Sequence, residues 1–410
     1  MIVAREELFS WTKVAPTLAV IFVSPAILTV GCTMGMLVPF WFAVGTSIVA
    51  GATISLLIYL HGGAGAASHL SFAKLMDSCL GTAGSRFLAS PLIALTQMGW
   101  FSVLITLGGG SASAITGIDR AFTITVFGAA TAIVTFSGFS RLSRFTKVTS
   151  SLTAAFALWS LREIFVRGVS FHEMAYDPAS FLFLSGLAIG GATSISTVSP
   201  DFVKSAKTKK DMRITAFGIV LPAMMFTLVA GNVMGAFTLM PDPVSALAVV
   251  GLPALANILL LLGSAAAASS LYPPSLALAN IFKVKRNIAT IPAAIGGIFL
   301  AYLGIVDQLS SFLRLIGILL PPLIGINIAE YYLISKRKPS LKPGINSRGV
   351  FSWTLGAATG LLPFGIPPIN AIFASLASYL LVNHFCPPKP PERCPASTTQ
   401  NKLVSFGMPK

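Results

Sequence analysis

Windows of about 20 consecutive apolar residues recur along nearly the whole chain, and each is long enough to cross the hydrocarbon core of a bilayer. No water reaches that core, so every window has to close its own backbone hydrogen bonds, which a helix does. The windows fall at residues 14–38, 41–61, 90–112, 121–139, 148–167, 179–200, 214–240, 246–274, 287–305, 310–334, 350–366 and 368–385. They predict an all-α polytopic membrane protein of about twelve spans, numbered 1 to 12 below. Spans 11 and 12 are parted only by the Pro/Gly turn in "LLPFGIPPIN". Only 10% of the 410 residues are charged, whereas a soluble domain carries about a quarter. The charged opening "MIVAREELFSWTK" leads straight into a full-length span, so it does not read as a removable signal. The domain reading is an N-terminus at 1–13, a membrane domain at 14–385 and a Pro-rich, polar tail at 386–410, expected to be disordered.

The basic residues set the orientation. With the N-terminus in the cytoplasm, the outer side holds four of the 28 Lys and Arg, namely Arg120, Arg162, Arg167 and Arg314, and the other 24 lie inside. A split of that size is a strong positive-inside signal, predicting an inner-membrane protein with both termini cytoplasmic. It also accounts for the net charge of +15. A nucleic-acid partner is disfavoured, because these charges are spread over short loops and tails and not gathered on one element. No obligate protein partner is evident. The four cysteines, Cys32, Cys79, Cys386 and Cys394, show no metal spacing. "LGGGSAS" at 107–113 reads as helix packing or a turn, not a phosphate loop.

Carriers of this size place their site at mid-membrane on broken helices in matching positions of two inverted repeats. Two spans read as broken. Span 1 contains Pro25, Gly31 and Gly35 in "VSPAILTVGCTMG", and span 6 contains Gly190, Gly191 and Pro200 in "GLAIGGATSISTVSP". They lie five spans apart, the offset of two five-helix repeats. Close packing of helices through small residues is the alternative reading of the same glycines.

Span 3 carries "LTQMGWF". Gln97 and Trp100 are three residues apart and share a helix face. A carboxamide both donates and accepts hydrogen bonds, and an indole offers a large stacking surface. The pair suits a planar heterocycle, with polar groups on its rim and π-faces above and below. A bond from Gln97 to a neighbouring helix, with Trp100 in the packing, is the other reading.

The segments "TQMGWF" (96–101), "SPDFVKSAK" (199–207), "LYPPSLALANI" (271–281), "PPLIGINIAEYYL" (321–333) and "PFGIPPINAIFASLASYL" (363–380), with the loop "HLSFAKLMDSCLGTAGSRF" (69–87), together resemble the bacterial cytosine permeases of the nucleobase–cation symporter family. The resemblance spans residues 14–385. It implies a LeuT-like 5+5 inverted repeat plus two C-terminal helices, alternating access, and cytosine or a related small heterocycle as substrate. It places Gln97 on the ring edge and Trp100 against the ring face. It puts Gly191, Ala192 and Ser194 of span 6 at further substrate contacts, where the family carries an aromatic at the Ala192 position. Span 8 departs most. The family's polar run, which serves base and sodium, reads here "GSAAAASSLYPP", with Ala265, Ala266, Ala267 and Ala268 in its middle. Ser269 remains as a candidate substrate contact. Phe22 and Val23 at the span 1 break, with Ser264, remain as candidate ion ligands. Sodium, a hard cation, needs several oxygens, so sodium coupling is the implication this chain weakens most. No other cofactor is implied.

All 13 acidic residues and the histidines His61, His69, His172 and His384 read as lying at span ends, in loops or in the tails. Glu163, beside Arg162 and Arg167, and Glu330, beside Lys336, come nearest to membrane depth, each with a local partner. Charges at mid-membrane are costly and usually functional, and their absence argues against a central proton relay. No nucleophile motif or acid pair supports an enzyme. The reading is a secondary transporter. A membrane sensor or binding protein of the same fold, without coupled transport, is the alternative.

The orientation has a direct check. A cysteine placed at Lys209, in the basic loop "KSAKTKKDMR", is expected to react with membrane-impermeant maleimide only from the cytoplasmic side; ready labelling of intact cells from outside would invert the topology.

Overall fold

In the computed structural model, residues 8–167, 171–172, 174–362 and 364–385 are described. Each predicted interval contains helix, although the helix within 350–366 ends at Gly360 and the one within 287–305 at Tyr302. Phe9 and Ala206 form an isolated parallel β-bridge. Among the described residues, six helices are long and apolar enough to cross a membrane: Phe40–Ser68, Gly81–Thr116, Ser180–Val203, Lys209–Thr238, Pro253–Phe282 and Ser311–Ile334. Trp11–Phe22 and Pro25–Leu37 make a seventh if counted as one bent span. The predicted tail at 386–410 lies outside the described residues.

Span 1 breaks where the sequence placed a proline. Pro25 has no N–H, so the Ile21 carbonyl loses its donor four residues on. The first half-helix ends with Val23 N–H bonding Ala19 O at 3.0 Å. Ser24 is extended, Pro25 opens the second half, and the two halves meet at 46°. Proline suits this first helical position because its missing donor would have no partner there anyway.

Gly31 and Gly35 play a different part. They face Gly231 and Gly235 of span 7 across a backbone-to-backbone contact. A Cβ at Gly35 would fall 2.0 Å from Asn232 O, and one at Gly235 would fall 1.9 Å from Cys32 O. Small residues let membrane helices approach until their backbones touch, so here packing, not breakage, explains the glycines.

Span 6 corrects an expectation. It is a continuous helix, Pro178–Val203, with Pro200 inside it and no break at Gly190 or Gly191. The hydroxyls account for this. Thr193, Ser196 and Thr197 each donate to the carbonyl four residues back. Pro200 cannot serve the Ser196 carbonyl, but Ser199 Oγ donates to it at 2.7 Å. Gly190 lies against Pro368 Cγ and Gly317 Cα.

Other boundaries shift. Span 8, read as 246–274, divides at Gly251, whose φ is +78°, into Pro243–Val249 and Pro253–Phe282. The second piece carries a 3₁₀ turn at Ser264–Ala266. Span 2 continues to Ser68, so His61 is not at a helix end but fully buried in a π-helical turn, Ile58–Gly62. Its Nε2 lies 2.9 Å from Thr197 O and its Nδ1 2.8 Å from Asn327 Nδ2. The carbonyl fixes the proton on Nε2, and Nδ1 accepts from the amide.

Two of the quoted motifs meet physically. Asp201, in "SPDFVKSAK", accepts from Phe72 N–H at 2.9 Å, at the start of the helix Phe72–Cys79. The residues before span 1 join the same end: Phe9 N–H bonds Ser205 O, Lys207 N–H bonds Phe9 O, and Trp11 N–H bonds Asp211 Oδ1. Glu163 pairs with Arg162 and Arg167 as expected. Glu330 does not pair with Lys336. The chain turns back through left-handed Lys336 and Arg337, so Lys342 Nζ reaches Glu330 Oε2 at 2.9 Å, joined by Tyr379 OH at 2.7 Å.

The glycine contact gives a stability test. Gly235→Val is expected to lower stability by about 1–3 kcal/mol or more, as overpacking does, and to depress the melting temperature in detergent. Gly45→Val, at a position where an added Cβ meets nothing within 4 Å, is expected to melt like the parent.

Candidate substrate site

Gln97 and Trp100 project from the helix Gly81–Thr116 toward Ser194 of span 6. Gln97 Nε2 donates to Ser194 Oγ at 3.0 Å, and Trp100 Nε1 donates to the same oxygen at 3.1 Å. All three are buried; Gln97 is 2% exposed, Trp100 7% and Ser194 0%. The shared helix face read from the spacing is therefore real, and the expected inter-helix bond from Gln97 is also present. Both donors end on a residue itself expected to contact substrate.

Span 10 supplies the wall that sequence reasoning missed. The rings of Trp100 and Phe312 lie 5.7 Å apart at 74°, edge to face. Phe312 fits there because residue 99 is glycine: a Cβ on Gly99 would come within 2.6 Å of Phe312 Cε2. Leu313 Cδ2 lies 3.7 Å from the Cβ position of Gly191. Ala192 is fully buried and offers only a methyl. No local signal in the sequence pairs position 100 with position 312.

Span 8 meets the span 1 break at Gly263. Pro25 packs on Gly263 of span 8, where an added Cβ would meet Pro25 Cδ at 2.7 Å. Ser264 follows directly, in the 3₁₀ turn. Ser264 Oγ and Ser269 Oγ are both buried without a hydrogen-bond partner. Phe22 and Val23 sit at the end of the first half-helix, where the carbonyls of Ile21, Phe22 and Val23 receive no backbone hydrogen bond among the described residues. Thr153, also near Gly263, has its hydroxyl committed to Thr149 O. The oxygens free near this turn are few, since 265–268 contribute only methyl side chains. Ser264 Oγ, Ser269 Oγ and the carbonyls at the span 1 break are the oxygens this region offers a hard cation. A cavity of about 420 Å³ lies elsewhere, between Trp41, Phe42, Thr46, Phe181, Ser185 and Ile366. None of Gln97, Trp100 and Ser194 lines it.

Comparison with known proteins places this arrangement. Residues 9–366 match the model of a family described as permeases for cytosine/purines, uracil, thiamine and allantoin. The cytosine permease of Escherichia coli is 25% identical over 348 residues, covering 82% of this chain and 81% of that one. The hydantoin permease of Microbacterium maritypicum is 24% identical over 348 residues, 76% of this chain and 70% of the relative. Among solved structures, Mhp1, a nucleobase-cation-symport-1 family transporter, in a closed conformation with bromovinylhydantoin bound, superimposes with a TM-score of 0.82 at 18% identity, covering 94% of each chain. Its inward facing conformation scores 0.72. The fold is thus LeuT-like, as the resemblance implied, and the backbone follows the closed form more nearly than the inward-facing one. This multi-pass membrane protein belongs to the family of permeases for cytosine/purines, uracil, thiamine and allantoin.

Proposed function

We propose that the protein carries a small planar heterocycle, cytosine or a related nucleobase or hydantoin, across the inner membrane by alternating access, with both termini in the cytoplasm. The observation that carries this reading is the convergence of Gln97 Nε2 and Trp100 Nε1 on Ser194 Oγ between spans 3 and 6. Two donors on one buried oxygen make a polar point beside an indole face. A ligand acceptor that takes the place of the hydroxyl inherits the Gln97 donor, while the indole offers its face. The Gln97 carboxamide then has an oxygen to accept with as well as its amide to donate, so it can pair edge to edge with adjacent N–H and C=O groups of a lactam. Trp100 stacks on the ring. Ala192 and Gly191 leave room along span 6.

Transport in this reading depends little on sodium, because Ala265, Ala266, Ala267 and Ala268 bring no side-chain oxygen and leave Ser264 and Ser269 as the hydroxyls of this stretch. Substrate affinity is expected to differ by less than about threefold between sodium and potassium buffers. A tenfold tightening in sodium, about 1.4 kcal/mol of coupling, would show that a cation site forms with substrate.

Gln97→Ala is expected to weaken heterocycle binding by about one to two decades, since a ligand edge left buried and unpaired costs roughly 1–3 kcal/mol. Trp100→Ala is expected to lose a comparable amount through stacking. Melting temperature and affinity are measured on the same preparations, and uptake in proteoliposomes follows the same order. Normal affinity in well-folded Gln97→Ala protein would remove the amide from the site.

A further inference from the structure

We propose that the cavity between spans 2 and 6 holds one acyl chain of an outer-leaflet phospholipid, whose ester carbonyl accepts hydrogen bonds from Thr46 and Ser185. The cavity measures about 420 Å³, within the ~300–1,000 Å³ typical of ligand pockets. Trp41, Phe42, Phe181 and Ile189 form much of its apolar wall, and among the described residues no charged side chain lines it. Two hydroxyls interrupt that wall. Thr46 and Ser185 are 6% and 3% exposed, and neither Thr46 Oγ1 nor Ser185 Oγ has a hydrogen-bond partner. Their neighbours behave otherwise. Ser47 donates to Ala43 O at 2.8 Å, and Thr193 on span 6 donates to Ile189 O at 2.6 Å. Such bonds to the preceding turn are the ordinary outlet for a hydroxyl in a membrane helix. Two helices thus each bring an unmet donor to one apolar space. A buried hydroxyl left unpaired is costly, so the occupant that fits is apolar and carries an acceptor.

The side on which the cavity opens identifies that occupant. Trp41, Phe42 and Val49 line it and are 75%, 49% and 58% exposed. They belong to Phe40–Ser68, a helix that crosses the membrane, so the medium beside them is lipid. The exposed face continues to Leu56, one heptad beyond Val49, and gives an extended chain a track along the helix. Depth agrees with an ester. The helix has 29 residues, about 43 Å at 1.5 Å each. The hydrocarbon core is ~30 Å thick, so a centred helix stands out by about 7 Å at each end. With the N-terminus cytoplasmic, Phe40 is at the outer end. Thr46 lies six residues further on, about 9 Å down the helix, near the outer edge of the core where the ester groups of lipids sit. Trp41 and Phe42 lie above it, at the level of an interfacial aromatic belt, and the Phe42 ring meets Tyr176 at 4.8 Å and Phe181 at 6.2 Å. With no charge in the lining, the cavity reads the chain and its carbonyl, not the headgroup.

The test uses the full chain and two phosphatidylcholines with the same chains, one joined to glycerol by ester bonds and the other by ether bonds, which lack the carbonyl. Delipidated protein in detergent is titrated with each, and bound lipid is counted by native mass spectrometry for the parent, Thr46→Val, Ser185→Ala and the double variant, with the melting temperature of each. Both substitutions remove a hydroxyl at nearly constant shape, so the variants are expected to fold like the parent. The parent is expected to hold one diester molecule at least about fivefold more tightly than the diether, the margin that two hydrogen bonds supply. Each single variant is expected to lose part of that preference, and the double variant to bind the two lipids equally. Equal binding of diester and diether by the parent overturns the proposal. A preference that survives in the double variant also overturns it, because the carbonyl would then be bound elsewhere. Displacement of the lipid by uracil or hydantoin with equal strength in parent and Gln97→Ala protein overturns it as well, since the cavity itself would then take the heterocycle.

Discussion

A backbone carbonyl inside a bilayer has to find its donor within the protein, and two prolines show how that constraint shapes this molecule. Pro200 withholds its N–H from the Ser196 carbonyl, yet span 6 runs on unbroken because Ser199 Oγ supplies the bond at 2.7 Å. Pro25 withholds its N–H from the Ile21 carbonyl, Ser24 makes no side-chain cap, and the chain bends by 46°. The consequence is an asymmetric pair. Span 1 bends where Pro25 packs on Gly263, while span 6 presents an intact helix whose side chain Ser194 receives the two donors of span 3. Span 10 adds a third solution: Pro321 and Pro322 withhold donors from the Gly317 and Ile318 carbonyls, yet Leu320 keeps right-handed helical angles and Ser311–Ile334 runs on as one span.

The tightest contacts hold the parts that do not need to move. Gly31 and Gly35 against Gly231 and Gly235 lock the second half of span 1 to span 7, backbone on backbone. The basic end is sewn together by directional bonds, from Phe9 to Ser205, Asp201 to Phe72 and Lys342 to Glu330. Against those, the Phe312–Trp100 contact is a single edge-to-face pair with a glycine on each side, at 99 and at 317.

Much of this was legible in the sequence. Hydropathy gave the helices, because a window of apolar residues in lipid has few alternatives. The i, i+3 spacing put Gln97 and Trp100 on one face, and Pro25 marked the bend. The failures have physical causes. Glycine and hydroxyl residues in span 6 looked like a break, but whether a hydroxyl opens a helix or patches it depends on the carbonyl it reaches, which composition does not record. Glu330 was assigned the nearest cation along the chain, whereas left-handed turns at Lys336 and Arg337 brought Lys342 to it. His61 read as a helix end because the apolar window stops there, while the helix continues to Ser68. Phe312 left no trace, since its contact with Trp100 joins residues far apart in the chain through a glycine at position 99.

The most direct test of the account is a structure of the protein, determined by electron cryomicroscopy, in the presence of saturating uracil or hydantoin. The account predicts ligand density lying flat on Trp100, its polar edge on Gln97, with both donors drawn away from Ser194 Oγ. Density instead in the cavity beside Trp41, Phe42 and Phe181, with Gln97 and Trp100 still bonded to Ser194, would contradict it.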